Sequence, residues 1–252
     1  MLQRTYVHID GIGKGTEQAL WRKGIKTWDE FIKNSDALDM PDAKKERILA
    51  GIEQSRLELA AKNHRYFTST LPKSEHWRAF KDFEDSVVYL DIETTGLSAS
   101  YDDLTIVGMY DGHESKIFIK GDNLDEIVSE LAKYKMIISF NGLRFDVPFI
   151  QKKYPQIEFN HLHIDLMYML KRIGLKGGLK NIEKMLGVGR SDDTCQMTGF
   201  DAVRLWRHYE RGDDKALETL IQYNKEDIEN LSTIIQKVYE KVVETEMASV
   251  SE

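Results

Sequence analysis

The chain of 252 residues has 41% hydrophobic side chains and a formal net charge of −7. This composition allows a full hydrophobic core, and the length suits one domain of about 170 residues beside a small module. The single cysteine, Cys195, excludes an internal disulfide. No apolar stretch approaches a membrane span and no signal peptide follows Met1, so we expect a soluble cytoplasmic protein without a membrane partner.

The N-terminal part of the chain has a helical pattern. Gly24 is placed to end a first helix, and a capping box from Thr27 to Glu30 is typical of the start of a second. We expect residues 1–66 to form a small all-α module. Residues 1–80 carry 14 basic against 11 acidic side chains, whereas residues 81–252 carry 21 against 31. The larger, acidic part cannot attract a polyanion by bulk charge and would need metals or local cations to hold one.

A glycine-rich turn precedes the first of these helices, at Gly11, Ile12, Gly13 and Lys14. It resembles the helix-hairpin-helix element, in which backbone amides of the turn and of the next helix hold a DNA phosphate. The resemblance implies that these four residues contact DNA. Only ten residues precede the turn, which leaves little room for a first helix, so a helical packing or protein-contact module is the alternative.

The remaining chain alternates strand and helix patterns. Residues 67–83 read as a linker onto a domain at residues 84–240, and residues 241–252 read as a polar, frayed tail. Strand-like runs occupy 87–91, 104–110, 115–119 and 136–140, while apolar residues at helical spacing occupy 123–134, 147–154, 165–173, 178–186 and 214–241. This alternation predicts an α/β fold with a mixed sheet covered by helices.

Two carboxylates end the first strand pattern. Asp91 and Glu93 follow four apolar residues, and alternate residues of a strand point to the same face. Two acids held together are costly unless a cation, normally Mg²⁺ or Mn²⁺, offsets their repulsion. The pair therefore predicts a metal site, with solvated strand-end acids as the alternative.

Further candidate ligands stand downstream. Asp146 follows an apolar strand and a turn, and Tyr223 lies four residues before Asp227, on one face of a long helix. Each has an ordinary explanation by itself: an acid at a helix start, a packing tyrosine, or an acid on a solvated helix face. The three segments together, in this order, indicate the metal site.

The three segments resemble motifs I, II and III of the DEDD exonucleases, a branch of the ribonuclease-H-like superfamily. Gln222 stands where the histidine variant has its His, whereas Tyr223 matches the tyrosine variant, so the chain is similar to the DEDDy group. The flanking residues are most similar to the YprB-like family over about residues 68–238. These are Leu71-Pro72, Trp77-Arg78, Asp165-Leu166, Gly199-Phe200-Asp201-Ala202, Leu205-Trp206 and Tyr223-Asn224.

The resemblance implies a ribonuclease-H-like fold with a mixed five-stranded sheet, and a site with two divalent ions, Mg²⁺ or Mn²⁺. Asp91 would bridge both ions, Glu93 and Asp227 would complete the site of the first, and Asp146 would hold the second, in part through water. Tyr223 would orient the attacking water, because an unperturbed phenol is a poor base at neutral pH.

Other residues are candidates for contact with nucleic acid. By position beside the motifs these are Thr94, Asn141 and Phe145, the last by stacking on a base. Lys176 and Lys180 flank two glycines at a helix start and could face a phosphate, although a plain turn with solvent-facing lysines explains them equally well.

We therefore expect a metal-dependent 3′→5′ exonuclease that acts on single-stranded 3′ ends, with DNA preferred because of the glycine-rich turn. The alternatives are an RNA-trimming enzyme with the same chemistry, a nucleic-acid-binding accessory subunit with little turnover, and an adaptor acting through residues 1–66. Retention of all five motif residues argues against the accessory subunit.

Overall fold

A mixed sheet of five strands forms the centre of the protein in the computed structural model, which describes residues 1–248. The strand order is β3-β2-β1-β4-β5. Strands β1, β2 and β3 are antiparallel neighbours, whereas β4 is parallel to β1 and β5 is parallel to β4. The strands are β1 (Val87–Thr94), β2 (Leu104–Tyr110), β3 (Ser115–Ile119), β4 (Met136–Ser139) and β5 (Leu162–Asp165).

Helices surround this sheet and also form the N-terminal part of the chain. They are α1 (Lys14–Arg22), α2 (Trp28–Asn34), α3 (Asp42–Ala60), α4 (His64–Thr70), α5 (Phe80–Phe83), α6 (Ile127–Leu131), α7 (Asp146–Lys153), α8 (Leu166–Lys171), α9 (Leu179–Leu186), α10 (Gly199–Tyr209) and α11 (Asp214–Ala248). Within residues 1–248, none of them combines the length and apolar character needed to cross a membrane.

The central strand β1 is buried on both faces. Val87 and Tyr89 belong to a core that also contains apolar residues of α8 and α11. Val88 and Leu90 belong to a second core, on the opposite face, with residues of α6 and α7. A strand covered on both sides needs the continuous apolar run that precedes Asp91. The predicted α/β class, with a mixed five-stranded sheet flanked by helices and a helical region before it, is confirmed.

Residues 67–83 are part of the core and not a linker, contrary to the expectation from sequence. They contain the second half of α4, a 3₁₀ helix at Lys73–Ala79, and α5. Phe67, Trp77 and Phe80 are buried in the same cluster as Val87 and Tyr89 of β1. Short helices resemble a connector in sequence because they contain too few residues for the helical spacing of apolar side chains to be recognised.

A buried ion network joins the N-terminal region to the rest of the chain. Arg78 is 0% exposed and donates to Glu17 of α1 at 2.7 Å, to Glu75 at 2.7 Å and to Glu246 of α11 at 2.9 Å. Glu246 belongs to helix α11, which continues to Ala248, so residues 241–248 are helical and not the frayed tail expected from sequence. Residues 249–252 lie outside the described part. Residues 1–66 are connected to the domain by buried charge as well as by apolar packing.

Candidate metal centre

Three carboxylates converge at the middle of the molecule. Asp91 and Glu93 lie on β1, and Asp227 lies on α11, which packs against this strand. One oxygen from each carboxylate lies within 4.8 Å of the other two. Strand β1 continues to Thr94, so both of its acids are held by sheet pairing on β2 rather than lying past the strand end. The i, i+2 spacing read from sequence therefore places both carboxylates on the same face.

Burial and mutual repulsion disfavour the charged forms of these acids. Burial raises the pKa of Asp91 and of Glu93 well above the usual values, and repulsion from Asp227 raises both further. Burial also raises the pKa of Asp227 to about 6, although the Arg190 guanidinium opposes this rise. A cluster with this electrostatic character favours a bound cation.

Asp146 lies beside this triad but outside it. It is the first residue of α7 and is 3% exposed. Burial raises its pKa to about 8, with repulsion from Asp165 and Asp227 adding to the rise. Its Oδ1 atom is buried and has no hydrogen-bond partner within residues 1–248, and the same is true of Glu93 Oε1. Buried carboxylate oxygens without partners are costly, and a divalent cation with oxygen ligands fits them.

Asp165 positions the turn that leads to Asp146. Its carboxylate accepts hydrogen bonds from the backbone N–H of Asn141 at 2.8 Å and of Leu143 at 3.3 Å. Asn141 has a φ of 62°, in the left-handed region that costs energy for residues other than glycine. A Cβ on Gly142 would lie 2.2 Å from Ser139 Oγ, so glycine allows the strand end and α7 to approach closely. Asp165 therefore acts on the turn and not on the triad.

Arg190 belongs to this site, although no sequence pattern pointed to it. Its guanidinium donates to Asp227 Oδ1, and it also binds Glu183 of α9 in a bidentate pair with two distances of 2.6 Å. The Arg190 side chain is only 4% exposed. It lies in the irregular segment between α9 and α10, where neither periodicity nor spacing distinguishes one arginine from another.

Tyr223 is buried one helical turn before Asp227. Lys180 Nζ lies 4.6 Å from the centre of its ring, and the Arg190 guanidinium carbon lies 5.6 Å from it. Burial raises the pKa of the Tyr223 hydroxyl above its usual value, and repulsion from Asp227 adds to the rise. Tyr223 is therefore a protonated hydrogen-bonding group at neutral pH and not a base.

Residues 88–239, more than half of the chain, match the family model of the RNase_H superfamily. The chain belongs to the RNase_H superfamily. Its mixed five-stranded sheet flanked by helices is thus the fold of an RNase H-like domain, and membership of this superfamily supports a nuclease class of chemistry. A comparison with curated proteins gives no significant match.

Solved structures resemble this RNase H-like chain at low sequence identity. The family B DNA polymerase from the hyperthermophilic archaeon Pyrobaculum calidifontis has a TM-score of 0.51 at 14% identity, over 60% of this chain and 24% of the polymerase. The chain thus spans about a quarter of the length of that enzyme, and the likeness shows the fold alone. NrnC of Brucella melitensis bound to pGG has a TM-score of 0.43 at 18% identity, over 68% of this chain and 83% of NrnC.

The residues of the RNase H-like domain that were predicted to contact nucleic acid differ in their exposure to solvent. Phe145 is half-buried, with its ring centre 5.0 Å from that of Phe149, and it immediately precedes Asp146. Thr94 is buried, and its hydroxyl donates to Gly96 O at 2.5 Å. Lys176 is exposed, whereas Lys180 lies over Tyr223 and donates to the carbonyls of the loop before α10. The structure therefore brings Lys180 to the site and leaves Lys176 in solvent.

The glycine-rich turn before α1 is preceded by a three-residue 3₁₀ helix, Leu2–Arg4, and not by a full first helix. Gly11 has a φ of 73° and Gly13 caps α1. Ile12 is buried. Lys14 Nζ lies 2.7 Å from Glu75 Oε1, so its ammonium is engaged within the protein. DNA binding by this turn stays a prediction, and it would depend on backbone amides more than on Lys14.

Proposed function

We propose that this chain is a metal-dependent 3′→5′ exonuclease of the DEDDy group, similar to the YprB-like family, that hydrolyses phosphodiester bonds at nucleic-acid 3′ ends. The observation that carries the proposal is the convergence of Asp91, Glu93 and Asp227 within 4.8 Å, on the central strand and the long helix of an RNase H-like fold. Asp146 and Tyr223 stand beside this triad and complete the five residues of the motif.

The four carboxylates would hold two divalent ions, Mg²⁺ or Mn²⁺. Asp91 would contact both, Glu93 and Asp227 would complete the ligands of the first, and Asp146 would serve the second, in part through water. The separation of Asp146 from the three-carboxylate cluster agrees with this division. When bound, such ions lower the pKa of a water molecule and stabilise charge on the attacking and leaving oxygens.

Tyr223 would position the attacking water. Its raised pKa keeps the hydroxyl protonated, so it can donate a hydrogen bond to the oxygen that attacks phosphorus. Packing against Lys180 and Arg190 restricts the ring, so the hydroxyl keeps one orientation. The attack would break the bond from phosphorus to the 3′ oxygen of the preceding nucleotide and release a nucleoside 5′-monophosphate.

We propose single-stranded ends as the substrate, with DNA preferred to RNA. Asn141 and Phe145 lie in the turn that precedes Asp146 and could contact the terminal nucleotide, by a hydrogen bond and by stacking. The preference for DNA depends on the glycine-rich turn at 11–14. An RNA-trimming enzyme with the same four carboxylates is the second candidate, since RNA and DNA differ at the 2′ hydroxyl and the hydrolysis of the phosphodiester bond is the same for both.

A degradation assay tests the proposal. Matched 5′-labelled single-stranded DNA and RNA would be incubated with Mn²⁺, with Mg²⁺ or with EDTA, and Asp227→Asn would be compared with wild type. Asp214→Asn, an exposed acid at the start of the same helix, is the matched control. We expect a metal-dependent ladder that shortens from the 3′ end and is absent with Asp227→Asn. Binding of both polymers without cleavage would instead favour the accessory subunit.

A further inference from the structure

Arg190 has one nitrogen that nothing in the described part of the chain satisfies. Its Nε and Nη2 atoms bind Glu183, and Nη2 also donates to Asp227. Its Nη1 atom is buried and lacks a hydrogen-bond partner within residues 1–248. A guanidinium is always protonated, and burying its donors without acceptors is costly. The position therefore indicates an acceptor that binds at this site.

The planarity of the guanidinium shows where that acceptor would lie. Glu183 occupies the edge formed by Nε and one hydrogen of Nη2. The other hydrogen of Nη2 is directed to Asp227, and one hydrogen of Nη1 lies parallel to it on the same edge. An oxygen bound next to Asp227 in the carboxylate cluster would accept from Nη1. In a nuclease, that oxygen belongs to the phosphate of the substrate.

Arg190 also lies where it compensates the charge of the triad. Its contact with Asp227 uses an oxygen of a carboxylate that we assign to a divalent ion. Glu183 is anchored independently, since Asn230 Nδ2 of α11 donates to Glu183 Oε1 at 2.9 Å. Arg190 can therefore release Asp227 while it stays bound to Glu183. A bidentate pair at 2.6 Å with a buried carboxylate is strong enough to hold the guanidinium there.

We propose that Arg190 is the resident counter-cation of the carboxylate triad, which releases Asp227 to a divalent ion, remains on Glu183, and donates Nη1 to an oxygen of the substrate phosphate. The phosphate contact rests on the proposed nuclease function, whereas the exchange at Asp227 requires only that a divalent ion bind the triad. Arg190 would thus affect both metal affinity and substrate affinity, in addition to the carboxylates themselves.

Two substitutions should shift metal affinity in opposite directions. Mn²⁺ binding to the full chain would be measured by titration calorimetry, with Arg207→Gln, an exposed arginine of α10, as the matched control. Arg190→Gln removes the competing cation, so we expect Mn²⁺ to bind about tenfold more tightly, the change that loss of one charged hydrogen bond produces. Glu183→Gln leaves Asp227 as the remaining carboxylate for Arg190, so we expect weaker Mn²⁺ binding. A purely structural role would weaken binding in both variants, and that result would overturn the exchange.

The phosphate contact has its own measurement. Binding of deoxyadenosine 5′-monophosphate would be titrated at saturating Mn²⁺, where Arg190→Gln should lose about tenfold in affinity. Arg190→Lys keeps a positive charge near Asp227 but lacks Nη1, so it should keep Mn²⁺ affinity near wild type and still lose nucleotide affinity. It also serves if Arg190→Gln fails to fold, which a thermal melt would reveal. Wild-type nucleotide affinity in both variants would overturn the contact.

Failure of the two proposals can be distinguished. If the wild-type chain cleaves neither DNA nor RNA and binds no nucleotide, the nuclease function and the phosphate contact both fail. The opposite shifts in Mn²⁺ affinity would then still support Arg190 as the counter-cation. If the wild-type chain cleaves its substrate and Arg190→Gln equals it in Mn²⁺ and nucleotide affinity, the proposal for Arg190 fails and the nuclease function stands.

Discussion

The Asn224 side-chain amide donates a hydrogen bond of 2.9 Å to Asp91 Oδ2, and so connects helix α11 directly to the central strand β1. Asn224 is fully buried, and Gly108 of the neighbouring strand β2 makes room for it. A Cβ at position 108 would lie 2.0 Å from Asn224 Oδ1. This packing holds one carboxylate of the triad in a single orientation, and it depends on a glycine that strands otherwise disfavour.

Gly108→Ala should therefore lower nuclease activity by displacing Asn224 from Asp91. We expect turnover to fall about tenfold or more, since displacement of a group that orients a reacting site by about 1 Å can cost 10²-fold. The measurement is cleavage of labelled single-stranded DNA, with the double variant Gly108→Ala/Asn224→Ala for comparison. Because Asn224→Ala removes the clash, the two substitutions should be less than additive. Full additivity would show that Gly108 and Asn224 act independently.

Tyr223→Phe should reduce turnover with little change in KM. Phenylalanine keeps the ring beneath Lys180 and Arg190 but loses the hydroxyl that we assign to the attacking water. Removal of one positioned hydrogen-bond donor from a reacting centre costs about 10²–10³-fold, so we expect a fall of at least about a hundredfold in kcat. Steady-state kinetics would check this, with Tyr209→Phe of α10 as a control. An unchanged kcat would remove Tyr223 from the mechanism.

Without divalent ions, the stability of the protein should decrease as pH rises. The folded-state pKa of Asp227 is about 6 and that of Asp146 about 8, both above the unfolded value of 3.8. A carboxyl whose folded pKa is raised contributes stability that is fully present below the unfolded pKa and is lost as pH rises through the folded pKa. In EDTA, the melting temperature should therefore fall between about pH 4 and pH 8, by about 2–4 °C for each ~1 kcal/mol lost from the free energy of unfolding.

Two comparisons make this pH dependence specific to the site. Asp146→Asn removes one of the raised groups, so its melting temperature should fall less steeply through pH 8 than that of wild type. Mn²⁺ at about pH 8 should raise the wild-type melting temperature, because it offsets the charge of the triad. Parallel profiles for wild type and variant would contradict the assignment of the raised pKa to Asp146.

Arg78→Met should destabilise the whole chain. The substitution leaves Glu17 and Glu75 buried and without their main cation, which costs about 3–5 kcal/mol in comparable buried networks. Urea denaturation measures the free energy of unfolding. Arg56→Met is the control, since Arg56 pairs with the exposed Asp29 and such surface pairs contribute about 0–1 kcal/mol. Equal losses in both variants would show that burial of the network adds nothing.

The sequence by itself determined the fold class, four of the five strands and the three motif segments, whereas strand β5 was not predicted. Apolar runs of strand length and apolar residues at helical spacing are local patterns, so they are visible without any tertiary contact. The acids of β1 were visible for the same reason, because two carboxylates directly after four buried residues have few ordinary explanations. The ends of β1 and of α11 could not be predicted from sequence as well, because pairing with β2 extends β1 and the buried ion network includes the end of α11.

The tertiary structure alone decided which further side chains reach the carboxylates. Arg190 lies 37 residues from Asp227, and Asn224 lies 133 residues from Asp91, so neither contact leaves a local pattern. The same holds for residues 67–83, which look like a connector until Phe67 and Trp77 are seen to share a core with the sheet. The spacing of apolar residues depends only on the local structure of a segment. Charge compensation and core packing depend on residues that are distant in sequence and that only folding brings together.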